Sequence, residues 1–465
     1  MAKRKYGGLV SLILIICILF SLGGCDVIGQ FIPELCNHAF NDGEVTVEAT
    51  CVEKGEKIMT CDICGTKVIT EIEAKGHSFL ATWTNNNEGH WHDCEVCGEK
   101  SEVVAHTFAD SEIACSICAY EKVQANGAIS FHFMMLGNDN AGDSIYIKAG
   151  DNDILIDAGS RENSIDDIKN YVDTYCTDNI LEYVIVTHAD QDHIAGFSKS
   201  NGSIFDLYEC QTIIDFPLTD KTTQVYNRYV TERNAEVQNG AKHFTALECY
   251  NNSKDGAKRI YNLTEDGNVK MEILYNYFYE NKSEDENNYS VCVMFYHGDR
   301  QFLFTGDLEK EGEEYLANKY DFSQVELYKA GHHGSRTSSN TCLLKEIKPK
   351  MCVVCCCAGS VEYTDNLDRT FPTQEMIDRI APYTDKVYVP ITIDIVQVEG
   401  ADTPNDVSDD DYDNQGEYKL LNGNIVIVSD AEKGVYADCS NNNTLLKDTE
   451  WFKQYRDMPD AWKAA

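Results

Sequence analysis

The fold of this chain is decided by one stretch, Ile180-Leu-Glu-Tyr-Val-Ile-Val-Thr-His188-Ala-Asp190-Gln-Asp192-His193. Its apolar first half predicts a buried β-strand that ends just before the first histidine. Two imidazoles and two carboxylates then fall within six residues. Such groups hold Zn²⁺, Mn²⁺ or iron while leaving positions open for water. An ordinary polar loop after a strand is the alternative interpretation of this stretch. Other motifs in the chain distinguish it from a metal-binding loop.

Three further motifs repeat the pattern of an acidic or imidazole side chain at the end of an apolar run. Asp157, Asp307 and the pair His332 and His333 each follow such a run within a few residues. An α/β scaffold gathers functional side chains at one sheet edge in this way. The sequence therefore predicts one metal centre assembled from four separated motifs.

These four motifs, in this order, resemble the metallo-β-lactamase superfamily, and specifically the hydrolase domain of ComEC-type competence proteins. The resemblance covers roughly residues 129–430, and we place the domain at residues 126–435. It implies an α/β fold, the αββα metallo-β-lactamase sandwich. It also implies a metal-dependent hydrolase that cleaves phosphodiesters, with DNA as the substrate and single-stranded DNA as one form of it.

The resemblance further implies a role for each ligand of a centre with one or two Zn²⁺ or Mn²⁺ ions. His188 and Asp190 would hold one metal, and Asp192 with His193 the other. Asp307 would bridge the two. Asp190 stands where most superfamily members have a second histidine, and the extra carboxylate favours Mn²⁺ as well as Zn²⁺.

Other residues near the motifs receive supporting roles from the same resemblance. Asp157 would brace the site from behind the ligands. One of His332 and His333 would complete the second metal position, and we favour His332 because it follows the strand more directly. Ser335 and Arg336 lie just beyond this pair, where the guanidinium could meet a phosphate oxygen. An exposed loop arginine is the alternative for Arg336.

The expected mechanism follows from the metal. A bound divalent ion lowers the pKa of water from about 16 toward 7, so that a hydroxide nucleophile exists at neutral pH. Asp307 would orient it, and Asp190 or Asp192 would take its proton. With Asp157, these three carboxylates form the expected catalytic set.

One departure from the superfamily pattern affects the expected metal count. No third histidine is evident between the first cluster and Asp307, and Asn287-Asn-Tyr-Ser290 stands where it would fall. His243 lies in a polar, helix-like region, which argues against it as a ligand. A weaker first position, with a single tightly held metal, is therefore one hypothesis, and a surface binding protein that has lost activity is another.

The N-terminus predicts export. A basic segment, Lys3-Arg4-Lys5, precedes the apolar run Leu9–Leu22, and Leu22-Gly-Gly-Cys25 matches a bacterial lipoprotein box. We predict a signal peptide over residues 1–24, lipidation of Cys25, and a linker over residues 25–35. The protein would be tethered by its lipid to the extracellular face of the bacterial membrane. A transmembrane anchor is the alternative, but the apolar run is short for a span.

Residues 36–122 form a cysteine- and histidine-rich segment with an imperfect internal repeat. Cys-x-x-Cys and His-x-aromatic motifs each occur three times, and the segment resembles zinc-ribbon-like modules in surface proteins of Gram-positive anaerobes. Such pairs with nearby histidines hold structural Zn²⁺. The first predicted site uses Cys61, Cys64 and His77, with Cys51 or His38 as the fourth ligand.

The second predicted site uses Cys94, Cys97 and His106, with His92 or, less readily, His90. A third unit, which begins at Cys115 and Cys118, looks incomplete. Disulfide bonding is the alternative in an exported chain. The interleaved histidines favour metal, and few apolar residues lie between the motifs to form a core without it.

Charge limits the choice of substrate. The chain carries 39 basic and 77 acidic residues, a net charge of −38, and removal of the signal peptide would bring this to about −41. Nucleic-acid binding depends on Lys and Arg neutralising phosphates. Lys329, Arg336 and Lys345 are scattered candidates for that task. Phosphodiesters of the cell envelope, such as teichoic-acid substituents, are therefore the alternative substrate, and residues 436–465 are interpreted as a tail.

Overall fold

The computed structural model describes residues 36–85, 89–104, 106–107, 114–119, 127–136, 142–360, 364, 366–393 and 418–463. The predicted signal peptide (1–24), the linker (25–35) and Cys25 lie outside the described residues. The chain divides into two compact units, residues 1–121 and 122–465. The two are described separately below.

The first unit contains a small three-stranded antiparallel sheet in the order β1-β2-β3, followed by a short two-stranded ribbon of β4 and β5. Its strands are β1 (Glu44–Val47), β2 (Gly55–Thr60), β3 (Lys67–Ile72), β4 (Thr84–Asn85) and β5 (His90–Trp91). Most large apolar side chains of this unit are exposed, and apart from Trp91 and Ala49 its buried apolar residues, among those described, are cysteines. The unit therefore has almost no hydrophobic core.

The second unit is built on two large sheets and one small one. Its strands are β6 (Ala128–Phe133), β7 (Ile145–Ala149), β8 (Asn152–Ile156), β9 (Ile180–Val186), β10 (Glu209–Asp215), β11 (Lys242–Thr245), β12 (Ile260–Asn262), β13 (Val269–Leu274), β14 (Cys292–His297), β15 (Arg300–Phe304), β16 (Leu327–Lys329), β17 (Cys352–Val353), β18 (Cys357–Ala358), β19 (Val387–Tyr388), β20 (Ile391–Ile393), β21 (Tyr418–Leu420), β22 (Ile425–Asp430) and β23 (Gly434–Ala437). The larger sheet has the order β11-β10-β9-β8-β7-β6-β22-β23, and the second has the order β12-β13-β14-β15-β16-β17-β19. Both sheets are mixed. Strands β8 to β11 form the parallel portion of the larger sheet, and β15, β16, β17 and β19 form that of the second.

Helices connect and cover these sheets. They are α1 (Ser164–Val172), α2 (Gln191–Ile194), α3 (Ile204–Leu207), α4 (Gln224–Asn239), α5 (Ala246–Asn251), α6 (Lys310–Lys319), α7 (Thr341–Ile347), α8 (Gln374–Ile380), α9 (Glu450–Tyr455) and α10 (Asp460–Lys463). Short 3₁₀ turns occur at Ala195–Phe197, Tyr277–Tyr279, Glu286–Tyr289, Gly331–Gly334, Leu367–Arg369 and Leu446–Asp448. Within the part of the chain that the structure describes, none of the helices combines the length and apolarity needed to span a bilayer.

The two large sheets pack face to face through alternating side chains. Phe131 of β6 contacts Phe302 and Phe304 of β15, with ring centroids 4.7 and 5.4 Å apart. Leu303, between those two phenylalanines, points the other way, into a second core that it shares with helices α6 to α8. This period-two alternation buries both faces of the sheet. The predicted α/β class and αββα sandwich are thus confirmed.

The end of the chain belongs to this unit. Trp451 and Phe452 of α9 and Trp462 of α10 are buried in the second core, and β23 extends the larger sheet past residue 435. The predicted boundary at 435, with a separate tail over 436–465, is therefore wrong. The short amphipathic helices of this segment bury large aromatic rings in the domain core, a contact with distant residues that no local pattern predicts.

Candidate metal centre

The motif residues meet where parallel strands end. Asp157 follows β8 and His188 follows β9 in one sheet, while Asp307 follows β15 and His333 follows β16 in the other. Carboxyl ends of parallel strands lie at one sheet edge, so the side chains converge there. Asp157 takes a left-handed backbone conformation (φ 59°) at the turn after β8, an uncommon geometry that marks functional turns.

Four side chains form a compact group that could hold a metal ion: Asp192, His193, Asp307 and His333. Each offers one ligand atom, and these atoms all lie within 4.8 Å of one another. Oδ2 of Asp307 is 3.2 Å from Nε2 of both His193 and His333. Nε2 of His333 is also 3.2 Å from Oδ2 of Asp192. Two imidazoles and two carboxylates around one point match the ligand chemistry of Zn²⁺ and Mn²⁺.

The imidazole rings of this group are held from behind. Nδ1 of His193 hydrogen-bonds Oδ2 of Asp157 at 2.7 Å, and Nδ1 of His333 donates to the carbonyl of Cys355 at 2.9 Å. Asp157 in turn accepts from the backbone N–H and the hydroxyl of Thr187, at 2.8 and 2.7 Å. Such contacts fix the ring tautomer and leave Nε2 free to face a ligand.

Two buried nitrogens show that the site fits a cation. Nε2 of His188 and Nε2 of His193 are buried and make no hydrogen bond to any of the described residues. Burial, together with the charge of His193, lowers the pKa of His188 to about 4, so this imidazole is neutral at pH 7. An unsatisfied buried nitrogen costs about 1–3 kcal/mol. A divalent ion would satisfy the lone pair of His188 and would replace the proton at Nε2 of His193.

The charges of the group are strongly coupled. Burial would lower the pKa of His193 and His333, but the charge of Asp307 outweighs it, and both pKa values lie well above the usual range. Burial would raise the pKa of Asp307, but His333 and Lys329 bring it well below the usual range. Protons on the histidines thus balance the carboxylates until a metal ion displaces them.

A buried lysine stands against the same carboxylate. Nζ of Lys329 lies 3.1 Å from Oδ1 of Asp307 and 3.1 Å from the carbonyl of Gly306, and it forms an ion pair with Asp143. Burial would raise the pKa of Asp143, but this cation and nearby histidines lower it to about 2. Lys329 was a candidate for contacting substrate phosphate, and that expectation is wrong because its side chain is buried. Asp143 was not identified from the sequence. The signal for it is weak: Asp143 follows Gly142 in a segment that contains two glycines, Gly137 and Gly142.

The preference for His332 over His333 is also wrong. His332 lies at the rim, where its Nδ1 is 3.2 Å from Glu309 Oε1 and 3.0 Å from Thr337 Oγ1. Both histidines have left-handed backbones, with φ of 46° and 51°. This tight turn after β16 sends successive side chains in different directions, so the second histidine enters the group.

The first metal position has fewer ligands. Oδ2 of Asp190 lies 3.8 Å from Nε2 of His188, while Oδ1 of Asp190 forms an ion pair with Lys221. Ser290 stands where a third histidine was sought: its hydroxyl accepts from the Asp307 N–H at 3.0 Å and lies 3.5 Å from Nδ1 of His188.

His243 and the residues after the histidine pair lie elsewhere. His243 belongs to strand β11, not to a helix, and its Nε2 bonds Asp215 at 2.8 Å. Ser335 is buried, and its hydroxyl accepts from the Thr337 N–H at 3.3 Å. Arg336 is exposed. Of the two expected substrate contacts, only Arg336 therefore presents its side chain to solvent.

Three further groups that could hold a metal lie in the first unit. They are Cys36, His38, Cys61 and Cys64; Cys51, His77, Cys94 and Cys97; and His90, His106, Cys115 and Cys118. None of the described cysteines forms a disulfide bond.

The ligand sets predicted for this unit are wrong in their pairing. His77 joins Cys94 and Cys97 instead of Cys61 and Cys64, because the residue after each of these histidines accepts a backbone hydrogen bond from the Cys-x-x-Cys that follows it. By the same rule His106 joins Cys115 and Cys118, which completes the third site. His92 stacks on Trp83 and bonds the Thr82 carbonyl.

Residues 137–199 and 284–357 match the family model of the metallo-beta-lactamase superfamily. Curated relatives include ComE operon protein 3 of Bacillus subtilis (33% identity over 69 residues, 15% of this chain and 9% of that protein) and competence protein ComA of Neisseria gonorrhoeae (40% over 77 residues, 16% and 11%). The chain spans about a tenth of the length of these relatives.

Similar solved structures include a metallo-beta-lactamase of Cronobacter sakazakii with a HARLDQ motif. It is 13% identical, with a TM-score of 0.26, and the alignment covers 42% of this chain and 76% of that one. A putative metallo-beta-lactamase of Thermotoga maritima is 16% identical, with a TM-score of 0.24, over 38% and 78%.

Proposed function

We propose that this protein is a surface-anchored, metal-dependent phosphodiesterase and that DNA is its substrate. The observation that carries the proposal is the group of Asp192, His193, Asp307 and His333, with unpartnered imidazole nitrogens beside it. One of the matched relatives, ComA of Neisseria gonorrhoeae, is named a competence protein, which supports DNA as the substrate.

A divalent ion held by these four residues would supply Lewis acidity toward a phosphoryl oxygen and lower the pKa of water. The protein's own residues do the rest. Asp157 orients His193, and Lys329 fixes Oδ1 of Asp307 so that Oδ2 faces the histidines. Asp190 is 27% exposed and lies at the mouth of the group, where it would accept a proton from the attacking water.

The centre would hold one metal tightly and a second weakly. His188 and Asp190 are the side chains available at the first position, and the ammonium group of Lys221 already compensates the charge of Asp190. Mn²⁺ prefers carboxylate and imidazole to thiolate, so it would report on this centre rather than on the cysteine groups. Titration of the full chain with Mn²⁺, followed by electron paramagnetic resonance, should give one tight site. Lys221→Met should strengthen the second, and two equally tight sites in the wild type would contradict this assignment.

The anchoring part of the proposal rests on the sequence. The basic segment, the apolar run and the box that ends at Cys25 support lipidation and attachment to the outer face of the bacterial membrane. The Cys/His groups of residues 36–118 would hold structural Zn²⁺ and space the hydrolase domain from the membrane. Labelling of cells with radioactive palmitate, with Cys25→Ala as control, tests the lipid.

The net charge of −38 favours a second candidate substrate. Phosphate contacts by Lys and Arg normally supply most nucleic-acid affinity, and the buried Lys329 is not available for them. Phosphodiesters of the cell envelope, which carry fewer adjacent charges or are accompanied by cations, would suit this surface better. Teichoic-acid substituents are the class to test.

The deciding experiment uses the full chain, purified in detergent and loaded with Mn²⁺ or Zn²⁺. Cleavage of end-labelled single-stranded DNA should occur and should disappear in His193→Ala, which removes a ligand of the four-residue group. Tight metal binding without DNA cleavage, but with release of phosphate esters from envelope polymers, would favour the second candidate. Failure to bind Mn²⁺ tightly would instead identify a binding protein with a degenerate hydrolase fold.

A further inference from the structure

The first unit repeats one backbone arrangement three times. In each repeat the residue after the first cysteine of a Cys-x-x-Cys donates its N–H to the carbonyl of the residue after a histidine. The three bonds are each 2.9 Å long and join Asp62 to Ala39, Glu95 to Ser78, and Ser116 to Thr107. Each histidine is thereby docked against the cysteine pair that follows it.

The distances within the three groups match the edges of a zinc tetrahedron. Zn–S and Zn–N bonds of roughly 2.3 and 2.05 Å imply edges of about 3.8 Å between sulfurs, about 3.5 Å between S and N, and about 3.4 Å between nitrogens. The sulfur pairs Cys36–Cys61 and Cys51–Cys94 are 3.7 and 3.9 Å apart. Nδ1 of His90 and Nδ1 of His106 are 3.5 Å apart. A disulfide would need about 2.05 Å between sulfurs.

The sulfur–nitrogen edges agree with the same geometry in all three groups. The distances are 3.3 Å for Cys64 and His38, 3.4 Å for Cys97 and His77, and 3.4 Å for Cys118 and His106. The four ligand atoms of the third group, from His90, His106, Cys115 and Cys118, also lie within 4.8 Å of one another. The third group is therefore as complete as the other two.

The ligand sets overlap along the chain. Cys51 belongs to the second group but lies in sequence between His38 and Cys61 of the first. His90 belongs to the third group but lies between His77 and Cys94 of the second.

Backbone hydrogen bonds hold these two outlying ligands in place. The Gly76 N–H donates to the Cys51 carbonyl at 3.0 Å, and His90 exchanges two 2.9 Å bonds with Val104. Each outlying ligand is thus tied to the segment just before the histidine of its own group.

One hairpin joins the first two groups. Cys61 and Cys64 lie in the turn between β2 and β3, while Cys51 precedes β2 and His77 follows β3. The two groups thus close opposite ends of the same pair of strands. Since the described part of this unit has almost no apolar core, little besides the metals would hold that hairpin.

We propose that the first unit binds three Zn²⁺ ions in these three interleaved four-residue groups, and that the overlap makes them one coupled unit, so that breaking one group loosens its neighbour.

Coupling is measured on the full chain, in detergent, with zinc bound. Alkylation rates of Cys61 and Cys64 are followed by mass spectrometry in Cys51→Ser, which removes a ligand of the second group. We expect these rates to rise about tenfold or more, a typical coupling between sites. His92→Gln, which alters an imidazole outside the three groups, should leave them unchanged. Unchanged rates in Cys51→Ser would overturn the coupling.

The ligand assignment is tested independently of coupling. Cobalt substitution gives thiolate-to-metal absorption only from the cysteine groups, because the hydrolase group contains no cysteine ligand. Cys36→Ser should reduce this absorption at saturation by about a third or more, as one of the three groups is lost. An unchanged spectrum, or wild-type protein that resists alkylation because of disulfides and binds no zinc, would refute the three sites.

Discussion

The two units of this molecule use potential metal ligands in opposite ways. In the first unit the ligands are themselves most of what is buried, and Val45, Val47 and Ile69 on its strands are exposed. In the second unit two sheets and their helices bury a large apolar core, and the ligands occupy one edge of it. A chain segment with little core needs metal to fold, whereas a large domain folds first and presents a finished site.

The difference also appears in how the ligands are supported. Asp157, Cys355 and Lys329 hold the hydrolase ligands through contacts that exist without a metal. In the first unit, neighbouring ligands mainly contact one another, as Cys36 contacts Cys61. Metal removal should therefore be a functional event in one unit and a structural event in the other.

The largest expected effect is on DNA cleavage. It is measured by removing one ligand from the site of the second unit, which the protein holds in place without metal. His333→Ala should reduce DNA cleavage to the level without added metal, because Nε2 of His333 faces both Asp192 and Asp307. His332→Ala is the matched control and should retain activity within a few-fold. Circular dichroism should show both variants folded. Loss of activity in His332→Ala alone would restore the assignment that the sequence favoured.

The second largest expected effect is on the free energy of unfolding of the second unit. Its absence would weaken the contrast between a site supported by the protein and sites that need metal. Lys329→Met leaves the buried carboxylates of Asp143 and Asp307 without their cation. Breaking a buried ion pair costs about 3–5 kcal/mol. Urea unfolding in the presence of a chelator measures it, with the exposed Lys345→Met as control, for which we expect a change within about 0.5 kcal/mol. Equal midpoints for both variants would show that Lys329 does not stabilise the second unit.

A smaller effect concerns pH in the second unit away from the metal centre. His132 is buried between Tyr171 and Ser130, and burial lowers its pKa from 6.5 to about 4. The unfolded chain binds the proton first, so this contribution to stability is present above pH 6.5 and is lost as the pH falls toward 4. The loss amounts to at most about 3 kcal/mol.

Urea unfolding at pH 7 and pH 5 checks this. His132→Gln should lose less stability than the wild type over that interval, since it has no imidazole to protonate. An equal loss in both proteins would remove His132 from the account of the pH dependence.

Much of the hydrolase fold was readable from the sequence because apolar strands end at its functional residues. The strand predicted from Ile180 ends at Val186 as expected, and Asp157 and Asp307 follow their strands in the same way. Asp143 escaped notice because its segment has no such strand before it. The choice between His332 and His333 depends on a left-handed turn whose backbone angles the sequence does not specify.

The first unit was harder because its ligands are not neighbours in sequence. The two motifs alternate along the sequence, and the first of them is a His-x-aromatic motif at His38. Pairing each His-x-aromatic motif with the next Cys-x-x-Cys motif would therefore have predicted most of the ligand sets. Cys51 and His90, in contrast, are separated in sequence from the rest of their own groups by ligands of another group. Only the folded backbone, with its bonds from Gly76 to Cys51 and between Val104 and His90, assigns them.

Hydrogen exchange of the full chain, with and without a strong chelator, tests the contrast between the two units most directly. We predict that chelation removes the protection of the amides in Glu44–Ile72, while those in β6 to β9 keep theirs. Protection that persists in the first unit after complete metal removal would contradict the account, as would its loss from both units together.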